Sequence, residues 1–282
     1  MVQTTYGNFK DFCRDSTLPV CNLKGIPLPG DRNLGNLGAI VLSGFAIATA
    51  AFLIWRSERK KAAVGRREMQ LFLLGYAIIS ICEIFSVGVF PLNATVRVAF
   101  SAVHIGMIVT TCWILMLNGF VGYQLMDDGT PMSLTLFLAS SVVLFLGTGY
   151  IAADTGFSWT GFWDSSYELP NRNYALYTLY QLVPLIFLIT FFLLEAYIVI
   201  RVLGERRPME WLTGAFVLFA IGQIFNYAIS RRLCRETDGK IDGSMFETFF
   251  TLLSVIAIWF FWSSITEDDW PIPAGGPSSG FN

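Results

Sequence analysis

Four ionisable side chains lie inside long apolar runs of the sequence: Glu83, His104, Glu195 and Glu247. An ionisable group at the bilayer midplane costs about 2.5–3.5 kcal/mol on insertion scales, so each of these should face protein or water rather than lipid. The chemistry open to such groups is proton relay, hydrogen bonding between helices, or contact with a polar partner. A proton pathway usually contains several carboxylates and histidines in a connected series, and these four residues are too few to form one.

A second polar feature is a stripe on one segment. Gln223, Asn226, Tyr227 and Ser230 have i, i+3, i+4 and i+7 spacing, which places them on one face of a helix. If the helices alternate in direction, this stripe lies at a similar depth to His104 and to the glutamate of the last apolar run. A shared polar cluster would be either a docking cavity or relay, or a set of interhelical hydrogen bonds worth about 0.6 kcal/mol each.

The apolar runs that carry these residues are long enough to cross a membrane, since about 20 helical residues span roughly 30 Å of hydrocarbon. The seven runs are Leu37–Trp55, Met69–Phe90, Arg97–Asn118, Met132–Ala153, Leu176–Arg201, Met209–Ser230 and Gly243–Ile265. Only 14% of the 282 residues are charged and 54% are hydrophobic, whereas soluble domains carry about 25% charged residues. Because lipid cannot hydrogen-bond to the backbone, we predict an all-α polytopic bundle of seven transmembrane helices.

The bundle is predicted to occupy residues 34–266. Residues 1–33 lack the apolar core of a signal peptide and form an N-terminal segment. Residues 267–282 are rich in Pro, Gly and Ser and are predicted to be a disordered tail.

Basic residues in the first loop set the expected orientation. They are Arg56, Arg59, Lys60, Lys61, Arg66 and Arg67. Short loops dense in Lys and Arg stay in the cytosol, which puts the N-terminus in the lumen and the C-terminus in the cytosol. The number of basic residues summed over all loops does not distinguish this orientation from the reverse one. The sequon that begins at Asn93 falls on the lumenal side, close to the bilayer.

Three cysteines also fall on the predicted lumenal side: Cys13, Cys21 and Cys234. Disulfide bonds persist in that compartment. Cys13 and Cys21 are the first candidates for a pair, which would contribute about 2.5 kcal/mol on the chain-entropy model. Pairing of either one with Cys234 is the alternative, and free thiols are another. Cys82 and Cys112 lie within spans.

Two local patterns each allow two interpretations. Asp127, Asp128 and Gly129 form either a turn, with a helix cap after it, or a weak site for a divalent ion. In the first run, two pairs of small residues lie four apart and permit close approach of another helix, either within the bundle or from another protein. The pairs are Ala39 with Ser43, and Gly44 with Ala48.

Several function classes are excluded because the sequence lacks residues that their chemistry needs. The last run has no lysine for a retinal Schiff base, and one histidine is too few for an intramembrane zinc hydrolase. No span contains paired aspartates or a Gly-x-Ser-x-Gly element. A net charge of −2 argues against nucleic-acid binding. The prediction is therefore a protein without enzymatic activity or cofactor that binds another membrane protein or lipid.

Five stretches, taken together in order and spacing, resemble the fungal chitin synthase export chaperone family. They are FCRDSTLPVC at 12–21, GRREMQLF at 65–72, WILMLNGFVGYQLMDDGT at 113–130, GQIFNYAISRRLC at 222–234 and DGSMFETFFTLLSVIAIWFFWSSITEDDW at 242–270. The resemblance implies a multi-pass protein of the endoplasmic reticulum membrane. Its role would be to help a chitin synthase, a large polytopic glycosyltransferase, fold and leave that compartment.

Such a chaperone would need helix faces that complement its client rather than an active site. Under this hypothesis Glu83, Glu195 and Glu247, with the stripe on the sixth run, include client contacts. The acidic residues Glu267, Asp268 and Asp269 form either a cytosolic contact, an export signal or the solvated start of the tail.

The expected partners are thus a chitin synthase and membrane lipids, with self-association left open. One alternative is a permanent accessory subunit of the synthase. Another is a transporter of small solutes or lipids, which would require a continuous wet pathway through Glu83, His104 and Glu195.

Overall fold

The computed structural model describes residues 23, 26–28, 32–88, 93–123, 130–157, 159–163 and 174–266. Seven helices in these ranges are long and apolar enough to cross a membrane. We call them the first to seventh spans, in chain order Leu37–Arg59, Arg66–Ser86, Ala94–Val121, Pro131–Phe157, Ala175–Leu203, Arg207–Ile229 and Gly243–Ile265. The predicted all-α fold with seven transmembrane helices is confirmed.

The helix ends differ from the ends of the apolar runs. The first helix continues past Trp55 to Arg59, whose guanidinium lies 3.7 Å from the centre of the Trp55 ring. Arginine can extend a helix in this way because its long side chain reaches the headgroup level while its stem stays against apolar surface. The second helix ends at Ser86, before the predicted Phe90, where the backbone N–H groups of Val87 and Gly88 both bond to the carbonyl oxygen of Glu83 and close the last turn.

A short β-hairpin precedes the first span, and the sequence pattern did not predict it. Its strands are β1, Ile26–Leu28, and β2, Arg32–Leu34, which pair antiparallel with Ile26 opposite Leu34. We call the end of the bundle that carries this hairpin the hairpin end. The odd-numbered spans begin there and the even-numbered spans finish there.

Two spans contain π-helical turns. The fifth consists of Tyr174–Tyr177, a π turn at Thr178–Leu182, the α-helix Val183–Tyr197 and a second π turn at Ile198–Leu203. The sixth consists of Arg207–Ile224 and a π turn at Phe225–Ile229, and a short α-helix, Ser230–Glu236, continues directly from its end. A π turn inserts a residue and redirects the side chains around it, and such turns are frequent at functional sites.

The main core lies between the first, second, third, fifth, sixth and seventh spans. Each of these contributes a fully buried side chain to it, and these are Ala46, Leu73, Leu115, Val199, Leu212 and Phe261. The fourth span packs on the third and leaves large apolar side chains exposed, including Val143 and Leu146. Exposed aliphatic side chains on a span are expected where a helix faces lipid.

The small residues of the first span divide between its two faces. Ala39 and Ser43 are fully buried inside the bundle, whereas Gly44 and Ala48 are exposed. A Cβ atom added at Gly44 would meet no other atom within 4 Å. The first pair therefore serves internal packing, and the second pair lies on the outer surface.

Candidate functional site

A cavity of about 380 Å³ lies among the second, third, fifth, sixth and seventh spans. Its walls are mostly aliphatic and aromatic, with polar side chains gathered towards the hairpin end. Those polar residues are Glu83, His104, Gln181, Gln223, Tyr227 and Glu247. Ligand pockets in proteins have this composition, with a few polar groups that orient a ligand in an otherwise apolar site.

Glu247 is held by two members of the predicted stripe. The side-chain amide of Gln223 donates to Glu247 Oε1 at 3.1 Å, and Asn226 also forms a hydrogen bond with this carboxyl group. Gln223 and Asn226 lie on the side of the sixth span that packs on the seventh, where Gly222 lets the two backbones approach closely beside Phe250. These bonds fix the orientation of Glu247 at the cavity.

Glu83 enters the same cavity from the second span. It accepts a hydrogen bond from the hydroxyl group of Thr248, the residue that follows Glu247 in the seventh span. The carboxyl groups of Glu83 and Glu247 are close enough to repel each other when both are ionised. The second and seventh spans therefore bring a pair of carboxyl groups to one end of the cavity.

The two π turns at the hairpin end meet beside this pair. The side-chain amide of Gln181, in the π turn of the fifth span, donates to the hydroxyl oxygen of Tyr227, in the π turn of the sixth. Sequence reasoning singled out Tyr227 but missed Gln181. The available signal was a polar glutamine within an apolar run, three residues before Pro184.

His104 belongs to the cavity wall and bonds to the end of the second span. Its Nδ1 lies 3.2 Å from Ser86 Oγ, and the Ser86 hydroxyl donates to the carbonyl oxygen of Cys82 at 2.8 Å. Since the hydroxyl proton of Ser86 is used in that bond, His104 Nδ1–H is the consistent donor to Ser86 Oγ. The cavity thus contains His104 as well as the carboxyl pair.

Glu195 lies apart from this cluster and does not line the cavity. It is buried on the fifth span, and its Oε2 atom has no hydrogen-bond partner among the described residues. The nearby Tyr123 hydroxyl donates to the carbonyl oxygen of Leu194 at 2.9 Å. The described residues therefore do not join Glu83, His104 and Glu195 into the continuous polar pathway that a transporter would need.

Ser230, the last member of the predicted stripe, serves the backbone instead. Its Oγ atom accepts a hydrogen bond from the backbone N–H of Gly243 at 3.1 Å. The first N–H groups of a helix have no partner within that helix. Ser230 satisfies one of them and fixes the end of the sixth span to the start of the seventh.

Asn36 organises the hairpin end and was missed by sequence reasoning. Its side-chain nitrogen donates to Asp242 Oδ1 at 2.9 Å and to Ser244 Oγ at 3.0 Å, and its backbone N–H donates to the carbonyl oxygen of Gly88 at 3.1 Å. Its side-chain oxygen accepts from the N–H of Ala39, which caps the first span. One residue thus joins the first, second and seventh spans.

The cysteines fall into two groups. Cys82 and Cys112 are free thiols within the bundle, and Cys234 is disulfide-bonded. A bond at Cys234 favours the alternative pairing, and its two candidate partners, Cys13 and Cys21, lie outside the described residues.

The acidic motifs also lie largely outside the described residues. This holds for Asp127, Asp128 and Gly129 and for Glu267, Asp268 and Asp269. The predicted helix cap after the first motif is present, since Thr130 Oγ1 accepts a hydrogen bond from the N–H of Ser133 at 3.3 Å. Within the described ranges, no three His, Cys, Asp or Glu side chains come together as metal ligands.

Nearly the whole chain is similar to one protein family. Residues 5–276 match the family model for the chitin synthase export chaperone. The chain belongs to the chitin synthase export chaperone family. It is 30% identical to the chitin synthase export chaperone of Coccidioides immitis, over 96% of this chain and 86% of that protein. The protein of the same name from Aspergillus fumigatus is 29% identical over the same shares, and the one from Neurospora crassa is 27% identical over 96% and 79%.

Membership of this family gives the chain a chaperone role in chitin synthase export and not an enzymatic activity. The seven apolar spans agree with a multi-pass membrane protein of this family. We therefore interpret the cavity either as a binding site or as a feature of the packing between the helices.

Proposed function

We propose that this protein binds a chitin synthase within the endoplasmic reticulum membrane and promotes its folding and export. The observation that carries the proposal is the match of nearly the whole chain to a family of chitin synthase export chaperones. The exposed apolar faces of the spans support it, because a chaperone for a polytopic client must offer surface within the bilayer.

We further propose that the hairpin end faces the lumen. The basic first loop lies at the opposite end of the bundle, as the positive-inside rule requires for a cytosolic loop. The disulfide bond at Cys234 lies at the hairpin end, which agrees with an oxidising compartment on that side. The two arguments are independent of each other, and both support a lumenal hairpin end.

The outer face of the first span is the docking surface that we propose for a client helix. Gly44 and Ala48 form a shallow groove on it, bordered by the exposed side chains of Val41, Phe45 and Phe52. Small residues four apart let two helix backbones approach closely, which increases the van der Waals contact that drives association in lipid. A transmembrane helix of the synthase fills such a groove better than disordered lipid chains do.

This surface is tested with substitutions that fill the groove without disturbing the bundle. Gly44→Leu and Ala48→Leu should reduce recovery of the synthase when the protein is affinity-purified in mild detergent and the eluate is quantified by mass spectrometry. Gly147→Leu is the matched control, because Gly147 is also exposed with no atom within 4 Å of an added Cβ, but lies on the fourth span. Equal recovery from all three variants would refute the surface, and failure of the unmodified protein to recover any glycosyltransferase would refute the proposed function.

The buried glutamates provide a separate test of client contact. Glu83 and Glu247 face the cavity rather than the outer surface, so they reach a client only if part of it enters the bundle. Replacing Glu83, Glu195 and Glu247 individually by Gln keeps the size and the hydrogen-bonding capacity of each side chain. A reduced recovery of the synthase is expected for residues that the client contacts, and unchanged recovery for all three would remove these glutamates from the interface.

A further inference from the structure

The outer face of the first span ends in two aromatic side chains followed by two cationic ones. Phe52 and Trp55 are each more than half exposed, and the exposed residues Arg56 and Arg59 follow them four positions later on the same helix face. At a membrane boundary, aromatic rings lie where acyl chains meet headgroups, and cationic ends of side chains lie at headgroup level. The order of these four residues therefore matches the order of acyl chain and headgroup in a phospholipid.

Arg59 is oriented by its aromatic neighbour. Its guanidinium carbon lies 3.7 Å from the centre of the Trp55 ring, and the Phe52 ring centroid lies 5.9 Å from the Trp55 ring centroid. Stacking uses the flat face of a guanidinium group and leaves the N–H donors at its edge available for other bonds. Such donors can bind two oxygens of one phosphate group at the same time. The stacked Arg59 is thus preorganised to bind a phosphate.

The first loop, which follows directly, is tied to the end of the seventh span. The indole N–H of Trp262 donates to the carbonyl oxygen of Val64 at 2.9 Å, and Lys60 Nζ donates to the carbonyl oxygen of Ser263 at 3.3 Å. Lys61 lies between these two attachments, in an exposed turn. The helix end and the loop together carry three exposed cations, which we call the cationic edge: Arg56, Arg59 and Lys61.

The cationic edge lacks a counter-charge among the residues that the structure describes. Glu58 is the only acidic residue from 56 to 67, and its Oε2 atom accepts hydrogen bonds from Arg67 Nη1 at 3.3 Å and from Gln70 Nε2 at 2.7 Å. No ion pair in the described ranges joins the cationic edge to a carboxylate. Lys and Arg residues gathered beside a membrane span attract anionic headgroups. The charge of this surface therefore favours an anionic lipid over a neutral one.

We propose that the cationic edge and the two aromatic rings beside it bind a phospholipid whose headgroup has a net negative charge. The phosphate accepts hydrogen bonds from Arg59, and the start of an acyl chain lies against Phe52 and Trp55. The site lies one helical turn beyond the groove of Gly44 and Ala48 and does not include it. The inference goes beyond the chaperone role, and binding depends on neither the client nor the orientation. The proposed orientation only assigns the lipid to the cytosolic leaflet.

Binding is tested by native mass spectrometry of the full-length protein in neutral detergent, equilibrated with equal amounts of phosphatidylinositol and phosphatidylcholine. Both lipids have acyl chains and a phosphate, but only phosphatidylinositol has a net charge. It should be retained at least about tenfold more than phosphatidylcholine, since each nearby cation favours an anionic lipid by about fivefold. Equal retention of the two lipids would overturn the proposal.

A soluble competitor separates a lipid from a free phosphate compound. Glycerophosphoinositol has the headgroup of phosphatidylinositol without the acyl chains, so it cannot contact Phe52 and Trp55. At equal concentration it should not displace the lipid. Displacement would show that the surface recognises the phosphate alone, and the assignment to a lipid would be wrong.

Two matched triple variants locate the site. Replacing all three residues of the cationic edge by Gln should lower the preference for phosphatidylinositol at least about tenfold. The control replaces three other exposed cations at the same end of the bundle by Gln, namely Arg201, Arg206 and Arg207. It removes the same charge and should keep the preference. An equal loss in both variants would show that the lipid follows the total charge and would overturn the site.

A single variant tests the stacked geometry at constant charge. Trp55→Leu removes the ring that orients Arg59 and should lower the retention of phosphatidylinositol severalfold. Trp211→Leu is the control, because Trp211 is also an exposed indole at this end of the bundle. Unchanged retention in Trp55→Leu would remove the aromatic rings from the site and contradict the proposal, even if the triple variant does not fold.

The acidic residues after the seventh span are the competing source of negative charge. Glu267, Asp268 and Asp269 follow Ile265 in the sequence at the same end of the bundle. Replacing these three by Gln, Asn and Asn should leave the lipid preference unchanged. A preference that is absent from the unmodified protein and present only in this variant would make the acidic residues the partner of the cationic edge and overturn the proposal.

The lipid site and the client surface are tested separately. Gly44→Leu and Ala48→Leu fill the groove proposed for a client helix and should leave the lipid preference unchanged. Loss of the preference in these two variants would place the lipid in the groove and contradict the site as proposed. Recovery of the synthase is measured without added lipid, so either proposal can fail while the other holds.

Discussion

Asn36 and Asp242 are 206 residues apart in the chain, yet the side-chain nitrogen of Asn36 donates to Asp242 Oδ1 at 2.9 Å. Asp242 also accepts a hydrogen bond from Ser244 Oγ at 2.6 Å, at the start of the seventh span. Both residues are buried. The first and last spans are therefore joined by a polar contact that is shielded from water, which makes each hydrogen bond matter more than at a surface.

Asn36→Ala should lower the stability of the bundle by about 2 kcal/mol, because it removes a helix cap and leaves buried acceptors without their donor. The midpoint of thermal unfolding in detergent measures this effect. Thr190→Ala is the control, since among the described residues the hydroxyl of Thr190 bonds to the carbonyl oxygen of Ile186 in its own helix and to no other span. An equal shift for both variants would contradict the role of Asn36 in joining the spans.

At the opposite end of the bundle, Trp259 and Ser57 form a second contact between the last and first spans. The indole N–H of Trp259 donates to Ser57 Oγ at 2.8 Å, and both residues are buried. A double-mutant cycle with Trp259→Phe and Ser57→Ala should give a coupling of about 1 kcal/mol in unfolding free energy. Trp211→Phe, at an exposed indole, should change stability less. A coupling near zero would mean that this hydrogen bond does not stabilise the bundle.

Gly243 is required by the close approach of the sixth and seventh spans. A Cβ atom at this position would overlap the carbonyl oxygen of Phe225 and lie 2.8 Å from Ser230 Cβ. Gly243→Ala should therefore destabilise the protein by about 1–3 kcal/mol, as overpacking does elsewhere. Gly214→Ala on the sixth span has no atom within 4 Å of the added carbon and should be neutral or slightly stabilising. Thermal unfolding of the two variants side by side decides between these outcomes, and equal stability would contradict the close approach.

The disulfide bond at Cys234 yields a covalent prediction. A proteolytic digest of unreduced protein should contain a peptide with Cys234 joined to a peptide with Cys13 or Cys21, detected by mass spectrometry. Cys82 and Cys112 should react with a maleimide after denaturation without reductant, because both are free thiols. A digest in which Cys13 is joined to Cys21 and Cys234 is alkylated would restore the other pairing.

The spans were predictable because the hydropathy of a segment depends only on the residues of that segment. The seventh span begins at Gly243 and ends at Ile265 as predicted, since an Asp-Gly pair and an apolar run mark it without ambiguity. Elsewhere the helices run past the apolar residues, as at Arg59, because backbone hydrogen bonding continues beyond the hydrocarbon. The π turns at Thr178–Leu182 and Phe225–Ile229 had no local signal, since they depend on packing around an inserted residue.

The polar residues of the site were visible in the sequence as costly groups in apolar surroundings, but their partners were not. Gln223 and Glu247 were expected at one depth, and they bond to each other. Glu83 was not assigned to that shared depth, yet it lines the same cavity as Glu247, whereas Glu195, which has the same chemistry, does not. Helix rotation and neighbour order separate these two glutamates, and neither is encoded in hydropathy.

The amino-acid sequence by itself determined that the chain spans a membrane seven times and that a few polar groups must be sheltered there, because the transfer of each segment into lipid depends on that segment's own composition. Only the tertiary structure decided which groups meet. Asn36 finds Asp242, Glu83 joins Glu247 and the pair Gly44 and Ala48 faces outward because side-chain packing between distant spans sets the rotation and order of the helices.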